Sequence, residues 1–169
     1  MRKILPLLIT LCTLAGCSDS NDALLEKLRT AVEAENKNAT GYNVVDVSTL
    51  TDFEWEKMYY FQGEQTLLDI QAETGVKWEG SDVPKGHNRL LFMQGDQVVS
   101  YVDYYPGEFP LQVFGCNTDR WVYPRSRSTF ASFKYCQDDK EVYAFVPQPC
   151  LESMKELMNR KCDEAAKAE

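Results

Sequence analysis

Histidine is almost missing from this chain: in 169 residues only His87 occurs. That excludes a histidine-rich metal site. A histidine-assisted nucleophile would have to be built on this one ring, in the loop Pro84-Lys85-Gly86-His87-Asn88, beside a serine or cysteine and an acid. No Gly-x-Ser-x-Gly elbow, glycine-rich phosphate loop or dinucleotide fingerprint is present, and no cofactor is expected. No pair of cysteines has C-x-x-C spacing, which speaks against dithiol exchange and zinc binding. Asp138-Asp139-Lys140-Glu141 lacks the alternating oxygen ligands and the glycine of an EF-hand loop, and reads as a hairpin turn. Basic residues are the minority, 18 against 26 acidic, for a net charge of −8. That balance argues against a nucleic-acid partner and against electrostatic adhesion to anionic lipid. The apolar run from Ile4 to Leu14, interrupted by Pro6, is shorter than the ~20 residues of a spanning helix.

The run is nevertheless informative in its setting. Arg2 and Lys3 precede it, and Ala15 and Gly16 lead from it to Cys17. A positive start, a short apolar core and small residues are the three parts of a secretion signal. The tetrad Leu14-Ala15-Gly16-Cys17 resembles the lipobox of bacterial lipoproteins. The resemblance implies that the signal is cut before Cys17, that its thiol receives a diacylglycerol and that its new amine is acylated. Several acyl chains on one residue hold a soluble domain on a bilayer, where one alone binds reversibly. Ser18 follows the cysteine. By resemblance to enterobacterial lipoproteins, a residue other than aspartate there implies the outer membrane, facing the periplasm. The expected division is a signal over 1–16, a lipidated tether over 17–22 and one α+β domain over 23–169. The signal takes Arg2 and Lys3 with it, so the mature part keeps 16 basic and 26 acidic side chains, a net −10.

Apolar residues make up 44% of the chain and aromatic residues 12%, enough for a packed core. Leu24, Leu25, Leu28, Ala31 and Val32 lie at the spacing of one helical face and predict a helix over 22–37. Asn43 to Thr49 is rich in valine and predicts a strand. Phe53, Trp55, Tyr59 and Phe61 alternate at period two and predict another, with these four on one face. Glu64 to Thr74 predicts a second helix, with Leu67, Leu68 and Ile70 inward and Gly75 as its stop. Gln94-Gly95-Asp96 joins the strands Arg89–Met93 and Gln97–Tyr105 in a hairpin. Leu111 to Phe114 reads as a short strand and Cys116 to Ser128 as a loop. Thr129–Cys136 and Glu141–Val146 form a second hairpin, and a last helix covers 150–166. Hairpins between helices predict the α+β class, an antiparallel sheet with about three helices packed on it.

Cys12 leaves with the signal and Cys17 carries lipid, so Cys116, Cys136, Cys150 and Cys162 remain, an even number in an exported domain. Twelve residues of helix rise ~18 Å, too far for a Cys150–Cys162 bond, which needs Cα atoms within ~7 Å. Cys136 sits at the turn of its hairpin, and Cys150 beyond its far end, roughly 20 Å away at ~3.3 Å per residue. A last helix folding back along the hairpin brings Cys162 to Cys136 and leaves Cys150 for Cys116. The expected pairing is therefore Cys116–Cys150 and Cys136–Cys162.

The segment Arg120-Trp121-Val122-Tyr123-Pro124-Arg125-Ser126-Arg127 concentrates the residue types that dominate protein interfaces. Arg120, Trp121, Tyr123, Arg125 and Arg127 are its candidate binding residues. The alternative is a structural loop pinned by Cys116, with Trp121 and Tyr123 buried. The tyrosines out of phase with the strands, Tyr60 and Tyr104 or Tyr105, are candidates to line a surface. Phe53-Glu54-Trp55-Glu56-Lys57, with the helix, Trp78 turn and hairpin that follow, is similar to a pattern of small uncharacterised bacterial lipoproteins; that similarity implies no activity. The expectation is a lipid-anchored, non-enzymatic domain that binds a protein partner in the periplasm. The alternative is a cell-wall-directed enzyme or ligand-binder that uses a pair of its many carboxylates. Mass spectrometry of the native protein is expected to find residue 17 acylated and residues 1–16 gone; a bare Cys17 would remove the anchor and the compartment together.

Overall fold

The computed structural model describes residues 19–35, 40–116 and 121–162. Cys17, the expected signal over 1–16, residues 36–37 of the expected first helix and Arg120 lie outside the described residues, as do residues 163–166 of the expected last helix.

The chain is α+β; its described residues form three α-helices, two sheets and two disulfides. Helix α1 (Asp22–Glu33) is followed by β1 (Asn43–Asp46), β2 (Lys57–Phe61), α2 (Leu67–Thr74), β3 (Asn88–Gln94) and β4 (Gln97–Tyr104). Then come β5 (Leu111–Val113), β6 (Val122–Pro124), β7 (Thr129–Gln137), β8 (Lys140–Pro147) and α3 (Leu151–Met154). One sheet has the order β4-β3-β2-β6 and the other β1-β7-β8-β5. All pairings are antiparallel except β5 with β8, so the single antiparallel sheet expected from the hairpins is two sheets, one with a parallel edge.

Alternation along the strands sorts the apolar residues into layers. Met58, Tyr60, Leu90, Phe92, Val102 and Tyr104 of the first sheet share a core with Val45, Leu111, Val113, Phe130 and Phe145 of the second. Leu24, Leu28 and Val32 of α1 close that core from the side. The other face of the first sheet, with Tyr59, Phe61, Leu91 and Tyr101, packs Ile70 of α2. The other face of the second sheet, with Ala131, Phe133, Tyr135 and Val146, packs Leu151 of α3.

Both hairpins form as predicted. Gly95 takes a left-handed φ of 55° in the first. In the second, Asp138 and Asp139 are both left-handed, φ 51° and 59°, in the two-residue turn between Gln137 and Lys140. Gly75 ends α2 in the left-handed region, as predicted, and Thr66 with Asp69 forms a capping box at its start.

Elsewhere the elements are shorter than their patterns. Helix α1 ends at Glu33, where Ala34 turns extended and its carbonyl accepts a 2.6 Å bond from Asn43 Nδ2. The strand expected to begin at Phe53 begins at Lys57. Before it the chain is irregular, so period two does not apply there. Trp55 turns into the inter-sheet core against Phe92, while Tyr59 and Phe61 face α2. In α2 only Ile70 is buried, and Leu68 is 75% exposed. The expected loop Cys116–Ser128 contains β6, paired to β2.

The last helix stops at Met154 and continues as a 3-10 turn over Lys155–Asn159. The reason lies in β7. Strand β1 covers only Thr129–Ser132, and beyond it Cys136 N donates to Arg160 O at 2.8 Å. Arg160, extended after the 3-10 turn, thus serves as a neighbour of β7 where a continuing helix would leave that amide unpaired. The pairing Cys116–Cys150 and Cys136–Cys162 is as expected, with Cα separations of 5.9 and 4.9 Å.

One ion pair sits inside this frame. Arg89 on β3 is fully buried and binds Asp103 on β4 through Nε (2.6 Å) and Nη2 (2.8 Å). Its Nη1 donates to Ser81 O at 2.7 Å, and its guanidinium lies over the rings of Tyr101 and Trp78, at 4.3 and 5.4 Å. Removing one partner strands a desolvated charge, so Asp103→Leu is expected to cost about 3–5 kcal/mol. The double variant Arg89→Met/Asp103→Leu is expected to cost less than Asp103→Leu alone. Urea unfolding of the two proteins measures the difference.

Candidate functional site

The sequence singled out five residues in the segment about Trp121, and the fold sends the four described ones to different places. Arg120 lies outside the described residues. Tyr123 points inward, 1% exposed, and its hydroxyl donates to Phe114 O at 2.9 Å. Arg125 is ion-paired with Glu54 and lies 5.9 Å over the Trp55 ring. Arg127 ends a 3-10 turn at the surface. Trp121 alone presents a large apolar surface outward, at 40% exposure.

Its backbone explains why. Strand β6 pairs with β2 from Pro124 to Val122, and the ladder gains one further bond, Tyr60 N to Trp121 O at 2.9 Å. Trp121 makes that bond with φ at 65°, in the left-handed region. A bulky residue there is an outlier, costing roughly 1–2 kcal/mol. The indole is steered against Tyr60, with ring centroids 5.5 Å apart. It also lies over Gly115, where an added Cβ would sit 3.4 Å from the ring.

The indole forms one wall of an open groove of about 560 Å³. Tyr59, Tyr60 and Phe61 of β2 form its floor, with Gln62 and Gln65 beside them. The far wall is α2, through Asp69, Ala72 and Glu73. Asp69 and Glu73 are four residues apart and share one flank of the helix. Among the described residues, no lysine or arginine lines this groove. The Asp69 carboxyl is held below the usual carboxylate range by hydrogen bonds from the Thr66 hydroxyl and amide, at 2.6 and 2.9 Å. It is therefore ionised at neutral pH and committed to the helix start. Two acids on one wall, one of them a cap, do not face each other across the cleft as glycoside hydrolysis requires.

A second groove, of about 840 Å³, adjoins the first and shares Tyr60 and Gln62 with it. Gln112 and Gln137 line it, with Asn88, Asp138, Lys140 and Glu141. Between the two grooves lies a buried polar knot. Tyr104 donates to Leu111 O at 3.0 Å and sits 3.5 Å from the Tyr60 hydroxyl. Asn88 donates to Tyr104 at 3.3 Å and accepts from Gly63 N at 2.9 Å. Burial raises both phenols above the ordinary tyrosine value, Tyr104 the further, against the hydrogen bonds that lower Tyr60. Of the tyrosines that were candidates for a surface, Tyr104 is thus an inward residue, Tyr60 is buried yet lines both grooves, and Tyr105 is 49% exposed, beside His87.

Among the described residues no group of three or more His, Cys, Asp or Glu side chains gathers that could hold a metal ion. None of their helices is long and apolar enough to cross a membrane. Comparison with known proteins returns no match: no family model, no curated protein and no solved structure is similar to this chain.

Gln62, Gln65 and Gly115 escaped the sequence reading. Asp69 and Glu73 were visible only as two acids among many, although their four-residue spacing, which puts them on one flank of α2, was a usable signal. The strain at Trp121 has a direct readout. Trp121→Ala keeps the left-handed backbone and loses the ring; Trp121→Gly loses the ring and the strain. The glycine variant is expected to be the more stable by about 1 kcal/mol, measured by thermal unfolding; equal melting temperatures would show the backbone unstrained.

Proposed function

We propose that this chain is a lipid-anchored envelope protein, non-enzymatic, that binds a basic protein partner in the periplasm through the Trp121 groove. The single observation behind this reading is the indole itself, kept outward on an unfavourable backbone above a groove whose described lining includes Asp69 and Glu73 and no base. Tryptophan is among the residues most enriched at interface hot spots. A neighbouring acidic wall selects lysine or arginine on the other side, and adds more to specificity and association rate than to affinity. The occupant is thus a protein segment presenting an apolar side chain for Trp121 and a cation for Glu73. An inhibitor or immunity role, or a part in envelope assembly, fits such a surface. Attachment at Cys17 supplies the anchor and the compartment.

A second reading has one observation in its favour. Carboxamides of Gln62, Gln112, Gln137 and Asn88 gather at the adjoining groove, a lining suited to neutral hydroxyl-rich ligands such as cell-wall glycan.

The test is capture of envelope proteins by the wild-type chain, by Trp121→Ala and by Glu73→Gln, at low and high salt. A specific partner is expected to lose about thirtyfold in affinity with Trp121→Ala, the scale of a 2 kcal/mol hot spot. It is expected to lose less with Glu73→Gln, mostly in association rate and mostly at low salt. A partner indifferent to both substitutions would remove the groove from the account, and binding of peptidoglycan fragments in its place would favour the second reading.

A further inference from the structure

The way the chain enters the fold fixes how the domain stands on its anchor. Asn21 N donates to Tyr101 O at 2.8 Å, and Asp103 N donates to the Ser20 hydroxyl at 2.9 Å. Asn21 Nδ2 reaches Ser100 at 3.2 Å, while its Oδ1 caps α1 at Leu24 N, 2.9 Å. Ser20 and Asn21 are therefore clamped along the outer edge of β4, where they take up edge groups that would otherwise be open.

Cys17 is three residues before Ser20. At ~3.5 Å per residue even a fully extended link spans only about 10 Å. A flexible tether long enough to let the domain tumble would need many more residues.

The sheet order β4-β3-β2-β6 places the clamp at one edge and the Trp121 groove at the other. Registers align the two. Tyr101, bonded to Asn21, lies opposite Leu91, Leu91 opposite Tyr59, and Tyr59 opposite Val122, next to Trp121. With strands ~4.8 Å apart, the row from clamp to β6 covers four spacings, about 19 Å.

We infer that the β4 edge is the surface that faces the lipid headgroups, and that the first sheet stands edge-on to the bilayer with the Trp121 groove on its far side. This rests on acylation of Cys17. The contact is set by tether length and not by charge: the residues beside the clamp are Asp19 and Asp22, which anionic lipid repels. The orientation is therefore the same on neutral and anionic vesicles, and a partner reaches the groove from the aqueous side, not along the membrane plane.

The experiment uses the full acylated protein in phosphatidylcholine vesicles doped with a nickel-chelating lipid. Asp22→Cys and Ser126→Cys each carry a nitroxide; both positions are exposed, the first beside the clamp and the second after β6. Spin-relaxation by the headgroup nickel is expected to be several-fold stronger at position 22 than at 126. A long Gly/Ser insertion between Ser18 and Asp19 is expected to erase the difference. Adding phosphatidylglycerol is expected to leave it unchanged. Equal relaxation at the two positions in protein that floats with the vesicles overturns this orientation and leaves the anchor standing. Protein that does not float overturns the anchor, and the orientation with it.

Discussion

The buried guanidinium of Arg89 organises the half of the molecule where Ser20 and Asn21 enter the fold. Arg89 has no exposed surface, so its charge must be matched inside the protein, and the fold is arranged to match it. Asp103 takes two of its donors, the carbonyls of Ser81 and Asp82 take others, and Tyr101 and Trp78 offer their ring faces. The partners come from two stretches of chain: β4 supplies Asp103 and Tyr101, and the segment between α2 and β3 supplies Trp78, Ser81 and Asp82. A lysine could not substitute, because its point charge lacks the planar fork that meets a carboxylate and two carbonyls at once. The same Asp103 offers its amide to Ser20, so the ion pair and the entry of the chain share one residue. Glycine supports the arrangement at Gly80, over which the Trp78 ring lies and where any side chain would collide with it.

The second sheet is held differently. It has no buried ion pair at its centre, but a stack of Phe130 on Phe145, 4.1 Å apart and nearly parallel, and an outer face covered by one short helix. What that helix lacks in length is supplied by covalent bonds. Cys116–Cys150 ties its start to the end of β5, and Cys136–Cys162 ties the chain beyond it to the hairpin. Each crosslink contributes about 2–4 kcal/mol by the usual loop argument, more than four helical residues could supply by packing alone.

Local signals in the sequence were legible where local physics decides the outcome. Gly75, the Gly95 turn and the Asp138–Asp139 turn marked element ends, because backbone conformation there depends on neighbouring residues only. The disulfide pairing followed from distances along helix and strand, although the helix that motivated it ends at Met154 and gives way to a 3-10 turn. What could not be read was decided by contacts far along the chain. Trp55 leaves the period-two stripe because Phe92, on a strand that comes later, receives it. Leu68 looks inward in a helical pattern and is outward because α2 meets the sheet through Ile70. The groove has the same origin: Trp121 is recognisable as an interface residue type, but its acidic opposite wall exists only once β6 has been laid against β2.

The order of strands in the second sheet has a temporal side. Its β1 pairs with β7, and its β5 lies parallel to β8, so neither edge finds a neighbour until the final third of the polypeptide has been made. Both crosslinks also wait for the last cysteines. A nascent chain emerging amino end first can assemble the β2–β3–β4 meander early, yet it must leave β1 unpaired throughout, and such long-range closures are slow. Completion is thereby postponed to the carboxyl end, and a polypeptide still threading through a narrow conduit would remain incompletely folded for as long as the passage lasts.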